Sequence, residues 1–148
     1  MTTPSSKSIE TRIRSITNLA KDINAFELVA QDGGALPTFS AGAHIDIFLK
    51  DGMVRQYSLC SDPQESHHYV FAVLREASGS GGSVAVHENL RPGQLLTIST
   101  PRNNFSLSPV AERHLFLAGG IGITPIRAMI HHCLAHALDF ELVYCTRS

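Results

Sequence analysis

Residues 9 to 100 consist of short alternating runs broken by turn chemistry, a pattern that admits little besides an antiparallel sheet. Ile9 to Ile16 sets Ile9, Thr11, Ile13 and Ser15 against Glu10, Arg12 and Arg14. Ile23 to Ala30 follows and is closed by Asp32-Gly33-Gly34, a strong turn signal. His44 to Leu49 alternates cleanly and ends at Asp51-Gly52, a hairpin dipeptide, which makes Val54 to Cys60 its antiparallel partner. Tyr69 to Arg75 and Leu95 to Thr100 complete six strands at the spacing of a sandwich or closed barrel. One helix interrupts them, Ser83 to Leu90, which follows Gly79-Ser-Gly-Gly82 and stops at Arg91-Pro92-Gly93. Strands, a single short helix and a final strand describe a Greek-key barrel with one capping helix.

After Pro101 the pattern changes. His114 to Ala118 is a continuous apolar run, expected as a strand buried on both faces. It leads into Gly119-Gly-Ile-Gly-Ile-Thr-Pro125 and a helical stretch from Pro125 to Ala137, with Thr124 as N-cap and Pro125 as first helical residue. Phe140 to Cys145 is the next strand, giving one β–α–β unit. Two parallel strands and one helix do not cover both faces of a parallel sheet. Either the unit packs entirely on the barrel or it is the start of a longer α/β domain, and the second is the expectation favoured. The helix face Ile126, Met129, Ile130, Cys133 and Leu134 lacks neighbours that further strands would supply, so the unit is expected to be mobile or aggregation-prone. The expected organisation is a disordered tail over 1–8, a barrel domain over 9–108 and the incomplete α/β domain over 109–148.

Composition narrows the function classes. At 43% hydrophobic and 17% charged residues the chain is globular. Twelve Lys and Arg against thirteen Asp and Glu leave a net charge of −1, which argues against a nucleic-acid or anionic-membrane partner. The run His114 to Ile130 is interrupted by Pro125 and Arg127 and is not a membrane span. The first seven residues have no apolar core, so no secretory signal is read there and a cytoplasmic location is expected. Cys60, Cys133 and Cys145 are an odd set without a Cys-x-x-Cys pair, and read as free thiols.

Three local patterns carry candidate chemistry. Arg55-Gln56-Tyr57-Ser58-Leu59 combines a permanent planar cation, a flat stacking surface and a small donor, with Arg55 and Tyr57 on one face and Gln56 and Ser58 on the other. The plain alternative is an ordinary strand with an exposed arginine. Gly79-Ser80-Gly81-Gly82-Ser83 opens the capping helix and leaves backbone N–H groups free for an anion; the alternative is a loop with Ser83 as N-cap. Gly119-Gly120-Ile121-Gly122-Ile123-Thr124-Pro125 occupies the position of a dinucleotide-binding turn, although Pro125 stands where Gly-x-Gly-x-x-Gly needs its third glycine. No Gly-Lys-Ser/Thr is present, which excludes a Walker-type phosphate loop. His131, His132 and His136 share the last helix, but no third ligand accompanies the one-turn pair, so no metal site is assigned. His87 reads as a packing or capping residue beside the glycine loop.

Taken together and in this order, these patterns resemble the ferredoxin-reductase-like flavoproteins, and within them the phthalate dioxygenase reductase and vanillate O-demethylase reductase group. The residues carrying the resemblance are Ala41-Gly-Ala-His-Ile-Asp46, Arg55-Gln-Tyr-Ser-Leu-Cys-Ser-Asp-Pro63, Gly81-Gly-Ser83, His87-Glu88, Pro101-Arg-Asn103 with Phe105, and Gly119 to Pro125. The resemblance runs from about Ile9 to Ser148. It implies a mainly β chain: a six-stranded antiparallel Greek-key flavin-binding barrel with one capping helix, followed by an incomplete α/β nucleotide-binding domain. The cofactor it implies is FMN, with FAD as the alternative, and NAD(P)H is the co-substrate. An iron–sulfur cluster is expected in the full-length family but not in this chain, and the expected partner is an oxygenase component.

By the same resemblance, Arg55 pairs with the flavin phosphate, Tyr57 flanks the isoalloxazine and Ser58 lies near its reactive edge, next to Gln56. The backbone of Ala72, Val73 and Leu74 meets the polar edge of the ring. Gly81, Gly82 and Ser83 cradle the phosphate. Thr124 lies near the flavin and the incoming nicotinamide, within a nucleotide loop that includes Gly119, Gly120, Gly122 and Pro125; Ser58 and Thr124 are the residues placed nearest the chemistry. The implied activity is that of an NAD(P)H-dependent flavin oxidoreductase, the reductase component of an aromatic-ring or O-demethylating oxygenase. The alternative is a truncated remnant that folds as a flavin-binding module without redox turnover.

Overall fold

The computed structural model describes residues 7–147. Eight strands and two α-helices follow one another as β1 (Ser8–Ala20), β2 (Ile23–Ala30), β3 (His44–Phe48), β4 (Val54–Ser58), β5 (Tyr69–Leu74), α1 (Gly82–Asn89), β6 (Leu95–Ser99), β7 (Arg113–Gly119), α2 (Ile123–Ala135) and β8 (Asp139–Cys145). Of the expected tail, residues 1–6 lie outside the described residues, while Ser8 already pairs with Ser99 at the start of β1.

β1 to β6 form one antiparallel sheet in the order β4-β3-β6-β1-β2-β5. The two end strands meet beyond β4, where Leu59 bridges Phe71 and the Cys60 N–H donates to the Val70 carbonyl at 2.8 Å, so the sheet closes into a barrel. Closure leaves no free edge among these strands. Alternation decides what fills the interior. Ile13 opposite Leu28, Phe26 opposite Phe71, and Ile47 opposite Ile98 are all buried, each full burial contributing roughly 1.5–3 kcal/mol. Thr11 shares this inner row, and its buried hydroxyl donates to the Leu96 carbonyl at 2.7 Å.

The β3–β4 hairpin turns where the sequence indicated. Asp51 and Gly52 both take positive φ, 63° and 75°, the left-handed pair that matches strand twist in a tight hairpin. α1 closes one end of the barrel by burying Val86, with Leu90 just beyond its last turn.

β7 and β8 form a separate two-stranded parallel sheet, and α2 covers one side of it. His114, Phe116 and Ala118 of β7 pack towards Ile126, Met129 and Cys133 of α2. The expectation that β7 is buried on both faces is corrected: Leu115 and Leu117 are 63% and 69% exposed. An unbroken apolar run does not say which of its faces is covered in a given chain. Leu134 is also exposed, whereas the rest of the expected apolar stripe of α2 is buried or half-buried.

The small α/β unit sits on the barrel through its helix. The Arg127 charge is near enough to the Cys60 thiol to oppose the rise that burial imposes on it, and His131 Nδ1 is 3.9 Å from Asp62 Oδ2. Ala41 belongs to the same apolar cluster as Met129.

Candidate functional site

A pocket of about 470 Å³ opens where β4, β5, the start of α1 and the glycine loop of the α/β unit converge. β4 contributes Arg55, Gln56, Tyr57 and Ser58; β5 contributes Ala72 and Leu74. The loop before α1 contributes Glu76, Gly79 and Ser80, α1 itself Gly82 and Ser83, and the far wall Ile121, Gly122, Thr124 and Pro125. The three sequence patterns, separated along the chain, thus face one cavity.

Each wall has a physical cause. Tyr57 lies on the inner side of β4 opposite Ile45, and its ring stacks on Phe71 at 5.4 Å and 20°. Burial pushes the Tyr57 hydroxyl up from its ordinary range; Arg55 opposes that shift and Glu76 adds to it. Tyr57 therefore stays a neutral, flat surface at physiological pH.

Arg55 is held by two acceptors, the Val54 carbonyl at 2.8 Å through Nη1 and Ser80 Oγ at 3.0 Å through Nη2. Its stem passes directly over Gly82. The N-cap of α1 is Gly81, at φ 89°, and it offers no side-chain cap. The N–H groups of the first turn therefore have no intrahelical acceptor and carry the positive end of the helix dipole. Ser83 is inside the helix and is not its N-cap; its Oγ accepts from the Glu76 N–H at 3.0 Å, leaving its own proton free to donate.

The opposite wall is also fixed from within. α2 begins at Ile123 with Gly122 as N-cap, so Thr124 belongs to the first turn and does not cap it. Its hydroxyl donates to the Ile121 carbonyl at 3.2 Å. Tyr144 of β8 donates to the Gly120 carbonyl at 3.0 Å, and Gly120 takes φ 54°. Two loop carbonyls are thereby tied back.

Not every sequence-derived candidate lines the cavity. Val73 points into the barrel core, and its carbonyl is bonded by His87 Nε2 at 2.8 Å, which ties β5 to α1. Gly81, Gly119 and Gly120 shape their loops without lining the pocket. Glu76 lines it although no sequence pattern singled it out, and Ile121 lines it from within the glycine pattern although it was not named as a site residue. Among the described residues no group of three or more His, Cys, Asp or Glu is arranged to hold a metal. His132 and His136 stack at 4.2 Å, with His136 Nδ1 against the His132 carbonyl. No helix among the described residues is long and apolar enough to cross a membrane.

The donor set suits a flat aromatic ligand with a phosphate at one end. A guanidinium, a free hydroxyl proton and an uncapped helix start converge at one extremity. A stacked phenol and the paired backbone of β5 occupy the middle, with small loop residues opposite.

The barrel and the unit docked on it have the fold of the ferredoxin-reductase-like flavoproteins. Within that class the sequence resembles the phthalate dioxygenase reductase and vanillate O-demethylase reductase group, as the motifs implied. A tert-butanol monooxygenase / tert-amyl alcohol desaturase reductase subunit of Aquincola tertiaricarbonis is 50% identical over 137 residues, 93% of this chain and 41% of that protein. A vanillate O-demethylase oxidoreductase of Pseudomonas putida is 54% identical over 129 residues, 87% of this chain and 40% of the relative. The solved structure of phthalate dioxygenase reductase, described as modular for electron transfer from pyridine nucleotides to a [2Fe-2S] centre, superposes with a TM-score of 0.93. That match has 40% identity and covers 95% of this chain and 44% of the other. The chain thus spans less than half the length of these relatives. No family model matches it.

Proposed function

We propose that this chain binds a flavin, FMN, in the pocket between barrel and α/β unit, as part of an NAD(P)H-dependent reductase that serves an oxygenase. The observation that carries the reading is the convergence of Arg55, Tyr57, Ser58, Ser83 and Thr124, drawn from three separate segments, on a single cavity.

In this reading Arg55, the Ser83 hydroxyl and the first-turn N–H groups of α1 hold the phosphate. Tyr57, braced by Phe71, supports the ring, and the backbone at Ala72 and Leu74 meets its polar edge. Ser58 and Thr124 face the cavity from the barrel and from the α/β unit, on the side where a nicotinamide would approach. A bound flavin supplies hydride acceptance and stepwise electron release, and the protein supplies orientation and exclusion of water. The electron acceptor is proposed to be an iron–sulfur centre serving an aromatic-ring or O-demethylating oxygenase, as the names of the relatives support. The same names do not favour a remnant without turnover.

The test is reconstitution. The protein is mixed with FMN, and in parallel with FAD, then desalted, and its visible spectrum is recorded. A near-stoichiometric flavin band with FMN supports the reading; a folded but colourless protein overturns it. Arg55→Ala and Ser83→Ala are each expected to weaken retention.

A further inference from the structure

We propose that Glu76 works against Arg55 at the phosphate end of the pocket, and so limits the preference of the site for a phosphorylated flavin over an unphosphorylated one. The inference rests on the flavin reading above and concerns how that site discriminates between ligands.

Arg55 and Glu76 line the same cavity, and they are the two residues of opposite formal charge in its wall. Among the described residues no ion pair joins them; the guanidinium is taken up by the Val54 carbonyl and by Ser80 Oγ. The carboxylate is therefore not neutralised by contact. Its backbone is pinned on both sides: the Glu76 N–H donates to Ser83 Oγ, and the Glu76 carbonyl accepts from the Gly79 N–H at 3.1 Å. Both charges are near enough to Tyr57 to act on its hydroxyl in opposite directions.

A phosphomonoester brings about −1.5 to −2 charges at neutral pH. Against it stand one guanidinium and a helix start worth roughly half a positive charge. Glu76 adds a full negative charge to the same wall. The ring and the ribityl hydroxyls carry no charge, so the carboxylate bears on the phosphate alone. FMN binding should respond to Glu76, whereas riboflavin binding should not.

The experiment measures the Kd of FMN and of riboflavin by fluorescence titration for the native chain, Glu76→Gln and Glu76→Asp, at low and high ionic strength. Glu76→Gln is expected to tighten FMN roughly three- to tenfold and leave riboflavin within about twofold, the gain shrinking in high salt. Glu76→Asp, which keeps the charge, is expected to keep the native ratio of the two constants. An equal change for both flavins in Glu76→Gln, or no change, overturns the proposal and leaves flavin binding intact. Failure of both flavins to bind any of the three proteins removes the flavin reading and this inference with it.

Discussion

A side chain at Gly82 would have its Cβ 1.9 Å from Nε of Arg55, and the Cδ and Cγ of the same arginine lie within 2.8 Å of that point. The glycine is there because the guanidinium stem crosses the start of α1. What must yield on substitution is the far end of a flexible side chain, not backbone. Gly82→Ala is thus expected to push Arg55 off Ser80 and weaken FMN binding about tenfold or more. The fold should be little affected, since alanine favours a helix over glycine by about 1 kcal/mol. Titration with FMN and a thermal melt of the same variant check both halves; unchanged affinity would refute the placement of Arg55.

Gly42 presents the opposite case. It takes φ 98°, and a Cβ there would fall 2.0 Å from the Phe105 carbonyl oxygen and 3.0 Å from Met129 Cε. The Met129 methyl can swing aside, but the Phe105 backbone carbonyl cannot move cheaply, and the left-handed φ adds its own strain. Gly42→Ala is expected to destabilise the protein by about 2–4 kcal/mol, from left-handed backbone strain plus overpacking. Chemical denaturation measures this directly, and a loss below about 1 kcal/mol would contradict the close approach.

Strand positions were legible in the sequence because period-two alternation and turn dipeptides are local signals. Ile23–Ala30 is a strand over the expected span, and Asp51-Gly52 makes the expected turn. Helix starts were less legible: Ser83 and Thr124 are good capping residues by type, yet Gly81 and Gly122 take the cap positions. In both cases the preferred capping hydroxyl bonds elsewhere, to the Glu76 N–H or the Ile121 carbonyl. The exposed face of β7 was illegible because burial depends on what is packed against a strand, and Leu115 reads like Phe116 in a string of letters. Glu76 escaped notice for a related reason: an acidic residue after a strand is ordinary, and only the closed barrel brings it into the wall of the cavity that Arg55 lines.

The three thiols differ in access. Cys60 and Cys133 are buried, and burial pushes both thiols up, although Arg127 partly opposes this at Cys60. Cys145 is exposed at the end of β8. A thiol reagent applied to the native protein near pH 8 is therefore expected to label Cys145 rapidly and the other two only on unfolding. Mass spectrometry of the labelled peptides checks this, and Cys145→Ser should abolish the fast phase. Rapid labelling of Cys60 in the native state would mean that the contact between α2 and the barrel opens readily.

His44 makes stability depend on pH in one direction. Its ring is buried, Nε2 has no hydrogen-bond partner, and its neighbours include Arg102 and Asp46. Desolvation, aided by the Arg102 charge and only partly offset by Asp46, holds the imidazole pKa below its ordinary value near 6.5. In the unfolded chain the ring takes up a proton around that ordinary value, whereas in the folded chain it resists until lower pH. Between the two pKa values the unfolded state binds more protons, so stability rises with pH. The contribution is complete above about pH 7 and is lost as pH falls below about 6.5 towards the folded value. The expected result is a lower denaturation midpoint at about pH 5.5 than at about 7.5, with the difference reduced in His44→Gln. His132, also held low chiefly by burial, acts in the same direction, so the variant should lessen the slope without removing it. A midpoint that rises on acidification in the native protein, or a slope unchanged in His44→Gln, would show that the ring at this position is not the desolvated, uncharged group it is placed to be.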